Sequence, residues 1–145
     1  MSQRDLFLER VKGWLGWPYI WGAQNPLIGF DCSGLVMASF WSIGYFKTRA
    51  DKSASMLWKF FAPRRVPSPY AGTLVFWADA KDEIKHIEVC IGEDDEVGPV
   101  CVGARMSKKM VVVSPLRENR SALTICGYAD PFLEPEFNRD GGISE

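Results

Sequence analysis

The chain has 145 residues, of which 47% are hydrophobic and 24% charged, a balance typical of a globular domain that can bury a core. Its 17 basic and 18 acidic side chains give a formal net charge of −1, which excludes a bulk field that would attract nucleic acid or an anionic membrane. No run approaches the ~18 apolar residues of a membrane span, and the charged first residues show no signal peptide. We therefore expect a cytoplasmic protein, or one that leaves the cell by a route that does not use this N-terminus.

The first half of the chain carries helical patterns. Ser2 and Asp5 resemble a capping box, and apolar residues at helical spacing follow them as far as residues 13–16. A loop rich in glycine, proline and aromatic residues then occupies 17–30, and its rings are expected to form a cleft wall. The next predicted helices run from Asp31 or Cys32 to Ile43, and over 52–61.

The second half of the chain changes to short β-like runs separated by turns. The predicted strands are 73–77, 86–91, 99–102, 110–114 and 123–128. Helices followed by antiparallel strands predict an α+β fold, with the helices packed on one sheet. Because no repeat or linker is visible, we expect a single domain over 1–145, with a core of about 5–133 and a tail over 134–145.

Cys32 and His86 are the residues most indicative of chemistry. Cys32 lies at the predicted N-terminus of the second helix, where the helix dipole and free N–H groups favour a thiolate. His86 is the only histidine, so no other imidazole can activate this thiol. The four cysteines have no CxxC spacing, which argues against zinc, and we expect free thiols and no cofactor, with Cys90, Cys101 and Cys126 at apolar strand positions.

Four segments carry a family resemblance. They read Gly-Trp-Pro-Tyr-Ile-Trp-Gly at 16–22, Asp-Cys-Ser-Gly at 31–34, Gly-Thr-Leu-Val-Phe-Trp at 72–77 and Lys-His-Ile-Glu-Val-Cys-Ile-Gly at 85–92. In this order and spacing they resemble the NlpC/P60 family of papain-like cysteine peptidases, over roughly residues 5 to 130. The resemblance implies a papain-like domain with N-terminal helices on a mainly antiparallel sheet. A Cys32 thiolate would then attack an amide carbonyl, with His86 as the base.

The resemblance also implies substrate-binding residues. Tyr19 would contribute its hydroxyl to the cleft, and Asp31 and Ser33 would contact polar groups of the substrate, a free α-amino group in the case of Asp31. Each has a simpler interpretation, since Asp31 and Ser33 suit helix capping and Tyr19 suits a partly buried ring. Trp21 is the fourth residue expected at the cleft, with packing as its main role.

Two positions depart from the family pattern. The family has a polar residue on the strand after the catalytic histidine, which orients the imidazole as the third member of a triad. The matching position here is Gly103, which offers only its backbone. Two residues after His86 the family usually has glycine, whereas this chain has Glu88, which shares a strand face with His86. Glu88 is a substitute orienting group, a cleft charge that selects substrate, or a sign that the site has decayed.

The substrate class follows only from the resemblance. It implies a peptidase that cuts bacterial cell-wall stem peptides or muropeptides, between γ-D-glutamate and the diamino acid. The segments 25–30 and 129–132 resemble phage and prophage members, so delivery to the wall within a phage tail or lysis assembly, or by another non-classical route, is a further hypothesis. Two alternatives remain: another thiol acyl-transfer enzyme acting on lipids or small amides, and a degenerate binding module, which Gly103 would favour.

Overall fold

The structure is a computed structural model, and it describes residues 1–25, 29–47 and 51–134. Helix α1 spans Gln3–Gly13, α2 spans Cys32–Ser42 and α3 spans Ala54–Phe60. Ser2 and Asp5 form the predicted capping box at the start of α1. All three predicted helices are therefore confirmed, with α3 shorter than expected at both ends.

Eight strands lie in the described residues. They are β1 (Gln24–Asn25), β2 (Gly29–Phe30), β3 (Arg65–Val66), β4 (Leu74–Ala78), β5 (Ile84–Asp94), β6 (Gly98–Arg105), β7 (Met110–Pro115) and β8 (Thr124–Ala129). Strands β1 and β2 form a small ribbon, and the others form an antiparallel sheet in the order β3-β8-β4-β5-β6-β7. The predicted α+β fold is confirmed. The sequence missed β1, β2 and β3 because two residues are too few to show an alternating pattern.

The two faces of the sheet have different partners. Along β4, Leu74 and Phe76 belong to the main core with the helices, whereas Val75 and Trp77 belong to a smaller cluster on the opposite face. This alternation is the period of two that a strand imposes on its side chains. His86 pairs with Trp77 across β4 and β5, so it lies on the face of the smaller cluster.

Helix α2 is the central element of the main core. Residues 33–40 are all buried, so the helix is enclosed on every side rather than along one stripe. Burying one large apolar side chain contributes roughly 1.5–3 kcal/mol, so Leu35 and Phe40 alone hold the helix firmly in place. The residue at the N-terminal tip of α2 is consequently held in a fixed position.

Some predictions meet the structure only in part. Apart from Glu134, the predicted tail lies outside the described residues, as do positions 26–28 of the loop, and the single domain stays a prediction. All four cysteines are free, and Cys90 and Cys101 are buried on strands. Cys126 also lies on a strand, β8, as expected, but its side chain is exposed, so the apolar environment expected for it is wrong. None of the described helices is long and apolar enough to cross a membrane.

Candidate active site

Cys32 is the first residue of α2 and is held by a tight N-terminal cap. The Asp31 carboxylate accepts a hydrogen bond from the Gly34 N–H at 2.6 Å, and the Asp31 N–H donates to the Ala23 carbonyl at 2.8 Å. A Cβ at Gly34 would collide with that carbonyl and lie 2.7 Å from Asp31 Oδ1, so only glycine allows this approach. The predicted capping role of Asp31 is therefore present, and it fixes the position of the thiol.

His86 lies on β5 and connects the thiol to the interior of the sheet. Its Nε2 is 2.6 Å from Glu88 Oε2, and the imidazole lies beside the Cys32 side chain, close enough for the thiol to affect its pKa. Because Nε2 is occupied by the carboxylate, Nδ1 is the nitrogen left for the thiol. The His86 ring also packs beside Trp77, with ring centroids 5.3 Å apart.

The imidazole is held in its protonated form. Burial opposes the charge, but hydrogen bonds to Cys32 and Glu88 outweigh it and raise the pKa of His86 to about 9. At neutral pH the arrangement therefore favours an imidazolium, held beside the Glu88 carboxylate and close to the Cys32 thiol. A cationic imidazole beside a cysteine is the arrangement that activates thiol nucleophiles.

Glu88 is fully buried, with 0% of its side chain exposed, and it is bound on both sides. Arg120 donates from Nε to Oε2 at 2.7 Å and from Nη2 to Oε1 at 3.1 Å. Burial opposes ionisation of Glu88, but the hydrogen bonds from His86 and Arg120 outweigh it and lower the pKa of the carboxyl. A charged carboxylate is thus stabilised inside the protein by two cationic partners.

Gly103 provides the space that Glu88 occupies. The register of β5 and β6 pairs Val89 with Val102, which places Gly103 opposite Glu88. A Cβ at Gly103 would lie 2.7 Å from Glu88 Cδ and closer still to Cγ. The expectation that the Gly103 backbone orients the imidazole is therefore not met: the Glu88 side chain occupies that place.

A cleft of about 520 Å³ opens at the tip of α2. Its lining brings together six of the residues predicted for the site: Tyr19, Trp21, Asp31, Cys32, Ser33 and His86. Glu88 and Gly103 are not among the lining residues, so the burial of Glu88 argues against the interpretation that it selects substrate by direct contact. Trp21 is 80% exposed at the cleft, so the packing role expected for it is wrong.

Two further groups define the polarity of the cleft near the thiol. Burial, with smaller contributions from Cys32 and Asp31, raises the pKa of Tyr19 to about 12, so its hydroxyl stays protonated and can donate a hydrogen bond. Burial also raises the pKa of Asp31, although the N–H of Gly34 opposes this shift. A hydroxyl donor and a carboxyl group thus line the cleft together with Cys32.

The sequence did not indicate Arg120. It follows β7 in the polar run Arg117-Glu118-Asn119-Arg120, which has the pattern of a solvated loop. Its burial becomes visible only once β5 and the loop after β7 are brought together. Among the described residues, no group of three or more His, Cys, Asp or Glu side chains is arranged to hold a metal ion.

A model of the NlpC/P60 family matches residues 16–122. The bifunctional muramidase/DL-endopeptidase CwlT of Bacillus subtilis is 35% identical over 94 residues, which cover 63% of this chain and 28% of that protein. The chain thus spans under a third of the length of this relative.

Solved structures share the fold. The peptidoglycan hydrolase RipB of Mycobacterium tuberculosis aligns with a TM-score of 0.66 and 23% identity, over 89% of this chain and 64% of that one. RipD of the same organism aligns with a TM-score of 0.64 and 19% identity, over 92% of this chain and 99% of that one. It is described as a non-catalytic NlpC/P60 domain protein adapted to peptidoglycan binding. The fold therefore occurs with and without catalysis, so the function has to be argued from the site.

Proposed function

The chain belongs to the NlpC/P60 family, and we propose that it is a cysteine endopeptidase that hydrolyses amide bonds in peptidoglycan stem peptides. The observation that carries the proposal is the continuous contact from Cys32 through His86 to Glu88 at the cleft. A binding module has no need for a buried carboxylate aligned on an imidazole. A nucleophilic thiol does, because its base requires a fixed orientation and a stabilised positive charge.

In the proposed reaction the Cys32 thiolate attacks the carbonyl carbon of the scissile amide, forming a tetrahedral intermediate. The imidazolium of His86 then donates its Nδ1 proton to the leaving amine, and the C–N bond breaks to give a thioester. Water, deprotonated by the now neutral His86, attacks the thioester, and the C–S bond breaks to release the acid and the Cys32 thiolate, which restores the ion pair with the His86 imidazolium. Throughout the cycle Glu88 holds Nε2 and stabilises each imidazolium.

The oxyanion of each tetrahedral intermediate needs hydrogen-bond donors. Cys32 is the first residue of α2, and the N–H groups of a helix's first turn have no acceptor within the helix. The Cys32 N–H therefore supplies one donor, and the protonated Tyr19 hydroxyl in the same cleft supplies a second. Removing one such donor typically lowers kcat by about 10²- to 10³-fold.

The substrate we propose is a stem peptide cut between γ-D-glutamate and the diamino acid, which the name of CwlT as a DL-endopeptidase supports. One oxygen of Asp31 caps α2, and the carboxylate also lines the cleft, so it can receive a substrate ammonium while it caps the helix. Ser33 Oγ donates to the same Asp31 oxygen at 3.5 Å and supports it. Delivery to the wall by a phage or non-classical route stays a prediction.

The test is hydrolysis of three substrates by the purified chain: L-Ala-γ-D-Glu-diamino acid tripeptide, the same tripeptide with an acetylated N-terminus, and a generic ester. We expect cleavage of the free tripeptide, slower cleavage of the acetylated one, and complete loss of activity in Cys32→Ala. Cys126→Ala is the matched control, because it removes an exposed thiol outside the cleft and should leave the rate unchanged.

Each contrary result excludes the proposal in a different way. Cleavage of the ester without the peptides would indicate another acyl-transfer enzyme. Binding of intact sacculi without any cleavage would indicate a binding module of the RipD kind. Unchanged hydrolysis in Cys32→Ala would remove the thiol mechanism altogether.

A further inference from the structure

Arg120 has the environment of a functional residue rather than of a surface charge. Its side chain is only 2% exposed, and it binds both oxygens of Glu88. Its Nη1 donates to the carbonyl of Pro115 at 3.1 Å and to that of Glu118, so the loop after β7 holds the guanidinium in one orientation. The guanidinium also lies over the Trp77 ring, 4.9 Å from its centroid, on the same ring that packs beside His86.

We propose that Arg120 is a positioning residue, which fixes the Glu88 carboxylate against His86 and balances its charge so that the Cys32–His86 ion pair forms at neutral pH. The proposal rests on the proposed function, in which Cys32 and His86 are the nucleophile and the base. Arg120 also lines the cleft, but its hydrogen bonds within the site go to the Glu88 carboxylate, so we place its action on the catalytic groups through Glu88.

The charge balance follows from the order of the groups. Thiolate, imidazolium, carboxylate and guanidinium alternate in sign along one line of contacts from Cys32 to Arg120, so the activated site has a net charge of zero. Without the guanidinium, the activated site would carry one uncompensated negative charge in a buried place. It would then accept a further proton more readily, and the nucleophilic form would be lost at a higher pH.

Other titratable groups around this line do not replace Arg120. The Cys101 thiol of β6 faces Glu88 and Arg120, but its hydrogen bond to Cys90 and its burial raise its pKa, so it is neutral. The exposed Glu118 pairs with Arg105, which is buried and also lines the cleft, so the charge of Arg105 is already compensated.

On the cleft side of the thiol, Tyr19 is neutral. The charged side chains of the lining besides His86 and Arg120 are Asp31, Asp51, Lys85 and Arg105, none of which hydrogen-bonds to Glu88. Within the described residues, Arg120 is therefore the cation that compensates Glu88 when His86 is neutral.

The charge role and the positioning role have separate signatures in four variants. Arg120→Met removes a buried cation, so both the acidic and the alkaline limb of the rate profile should move to higher pH, by about one pH unit. Glu88→Gln removes the anion and should move both limbs to lower pH. The double variant, which combines Arg120→Met with Glu88→Gln, should have limbs between those of the two single variants. Arg120→Lys keeps the charge but cannot bridge both oxygens, so its limbs should stay in place while kcat falls.

The experiment uses two readouts that need no substrate. His86 is the only histidine, so an NMR titration of tag-free protein labelled at histidine follows the imidazole alone. The rate of Cys32 alkylation by iodoacetamide, measured across pH, reports the reactive thiolate. Hydrolysis of the tripeptide then adds kcat and KM, and we expect Arg120→Lys to change kcat and leave KM in place. Because the first two readouts are independent of substrate, a wrong proposed function would abolish only the third.

Arg4→Met is the matched control. Arg4 also binds a buried carboxylate with two hydrogen bonds, to Asp130 at 2.9 and 3.0 Å, but it does not line the cleft. It should lower stability without moving either profile. If Arg120→Met does not fold, the double variant and Arg120→Lys still decide the question, because neither leaves Glu88 as a buried unpaired charge.

Two results would overturn the proposal. The first is that the rate profile and the imidazole titration of Arg120→Met coincide with those of the parent protein. The same conclusion would follow if those of the double variant coincided with those of Glu88→Gln. The second is an Arg120→Lys variant with wild-type kcat, which would show that bridging both Glu88 oxygens is irrelevant to the reaction.

Discussion

Gly103→Ala adds one methyl group at the place where β6 faces the catalytic carboxylate. The added Cβ would lie 2.7 Å from Glu88 Cδ and 3.2 Å from its Cβ, well inside van der Waals contact. Gly103 is not one of the glycines with positive φ, so alanine fits the backbone and the collision with Glu88 is the whole perturbation. Since Glu88 is held by His86 and Arg120, it cannot move aside without losing a charged hydrogen bond.

The expected cost has two parts of opposite sign. Overpacking of a buried site costs about 1–3 kcal/mol. Replacing glycine by alanine in a compatible backbone stabilises by about 0.4–1 kcal/mol through the unfolded state. We therefore expect Gly103→Ala to lower the free energy of unfolding by about 1–2 kcal/mol in the parent protein. In a Glu88→Ala background, where the collision is absent, the same change should be neutral or stabilising.

The assay combines urea unfolding with kcat and the NMR titration of His86. Gly127→Ala is the control, because Gly127 lies in the same sheet and its added Cβ would also collide with a neighbour, the Trp58 ring at 2.8 Å. That collision does not involve Glu88. Both variants should lose stability, but only Gly103→Ala should lower kcat and the pKa of His86. Equal effects of Gly103→Ala with and without the Glu88 carboxylate would refute the reasoning.

Three further predictions concern the cleft itself. Iodoacetamide at mildly acidic pH should label Cys32 before the more exposed Cys126, because only Cys32 has an imidazolium partner. Mass spectrometry of the digested protein measures the order of labelling, and the reverse order would show that exposure decides it. Gly34→Ala should destabilise the chain and abolish activity, since its Cβ collides with the Ala23 carbonyl; a soluble variant with full kcat would contradict this close approach. Tyr19→Phe should lower kcat by about 10²-fold with little change in stability, and wild-type kcat in this variant would remove the hydroxyl from the oxyanion site.

The parts of the site that could be predicted are those whose signal is local in the sequence. Cys32 was found because a capping aspartate, a helix and the Asp-Cys-Ser-Gly motif lie together in a few residues. His86 was found because no other histidine exists. That Glu88 lies beside His86 followed from the period of two in a strand, and the 2.6 Å contact between them is the consequence.

The parts that could not be predicted depend on contacts between distant segments. Arg120 lies 32 residues after Glu88 in a polar run, and no local pattern distinguishes a buried arginine there from a solvated one. The role of Gly103 depends on the register between β5 and β6, which a bulge between Cys90 and Gly92 shifts. The sequence alone therefore could not show that the Glu88 side chain fills the space at Gly103.

The two departures from the family pattern explain each other when the strands are viewed as a pair. In the pattern that the resemblance supplies, the strand with the histidine has glycine two residues later, and the next strand supplies the polar side chain. Here β5 supplies the side chain, Glu88, and β6 supplies the glycine, Gly103, so the same space beside the imidazole is filled from the other strand. A carboxylate in that space brings a negative charge that a neutral amide or imidazole would not, and a buried charge is tolerated only with a partner. Arg120 is that partner, so Glu88, Gly103 and Arg120 form one coupled unit. A polar side chain introduced at Gly103 alone would collide with Glu88. Removal of Glu88 alone would leave Arg120 buried without its anion.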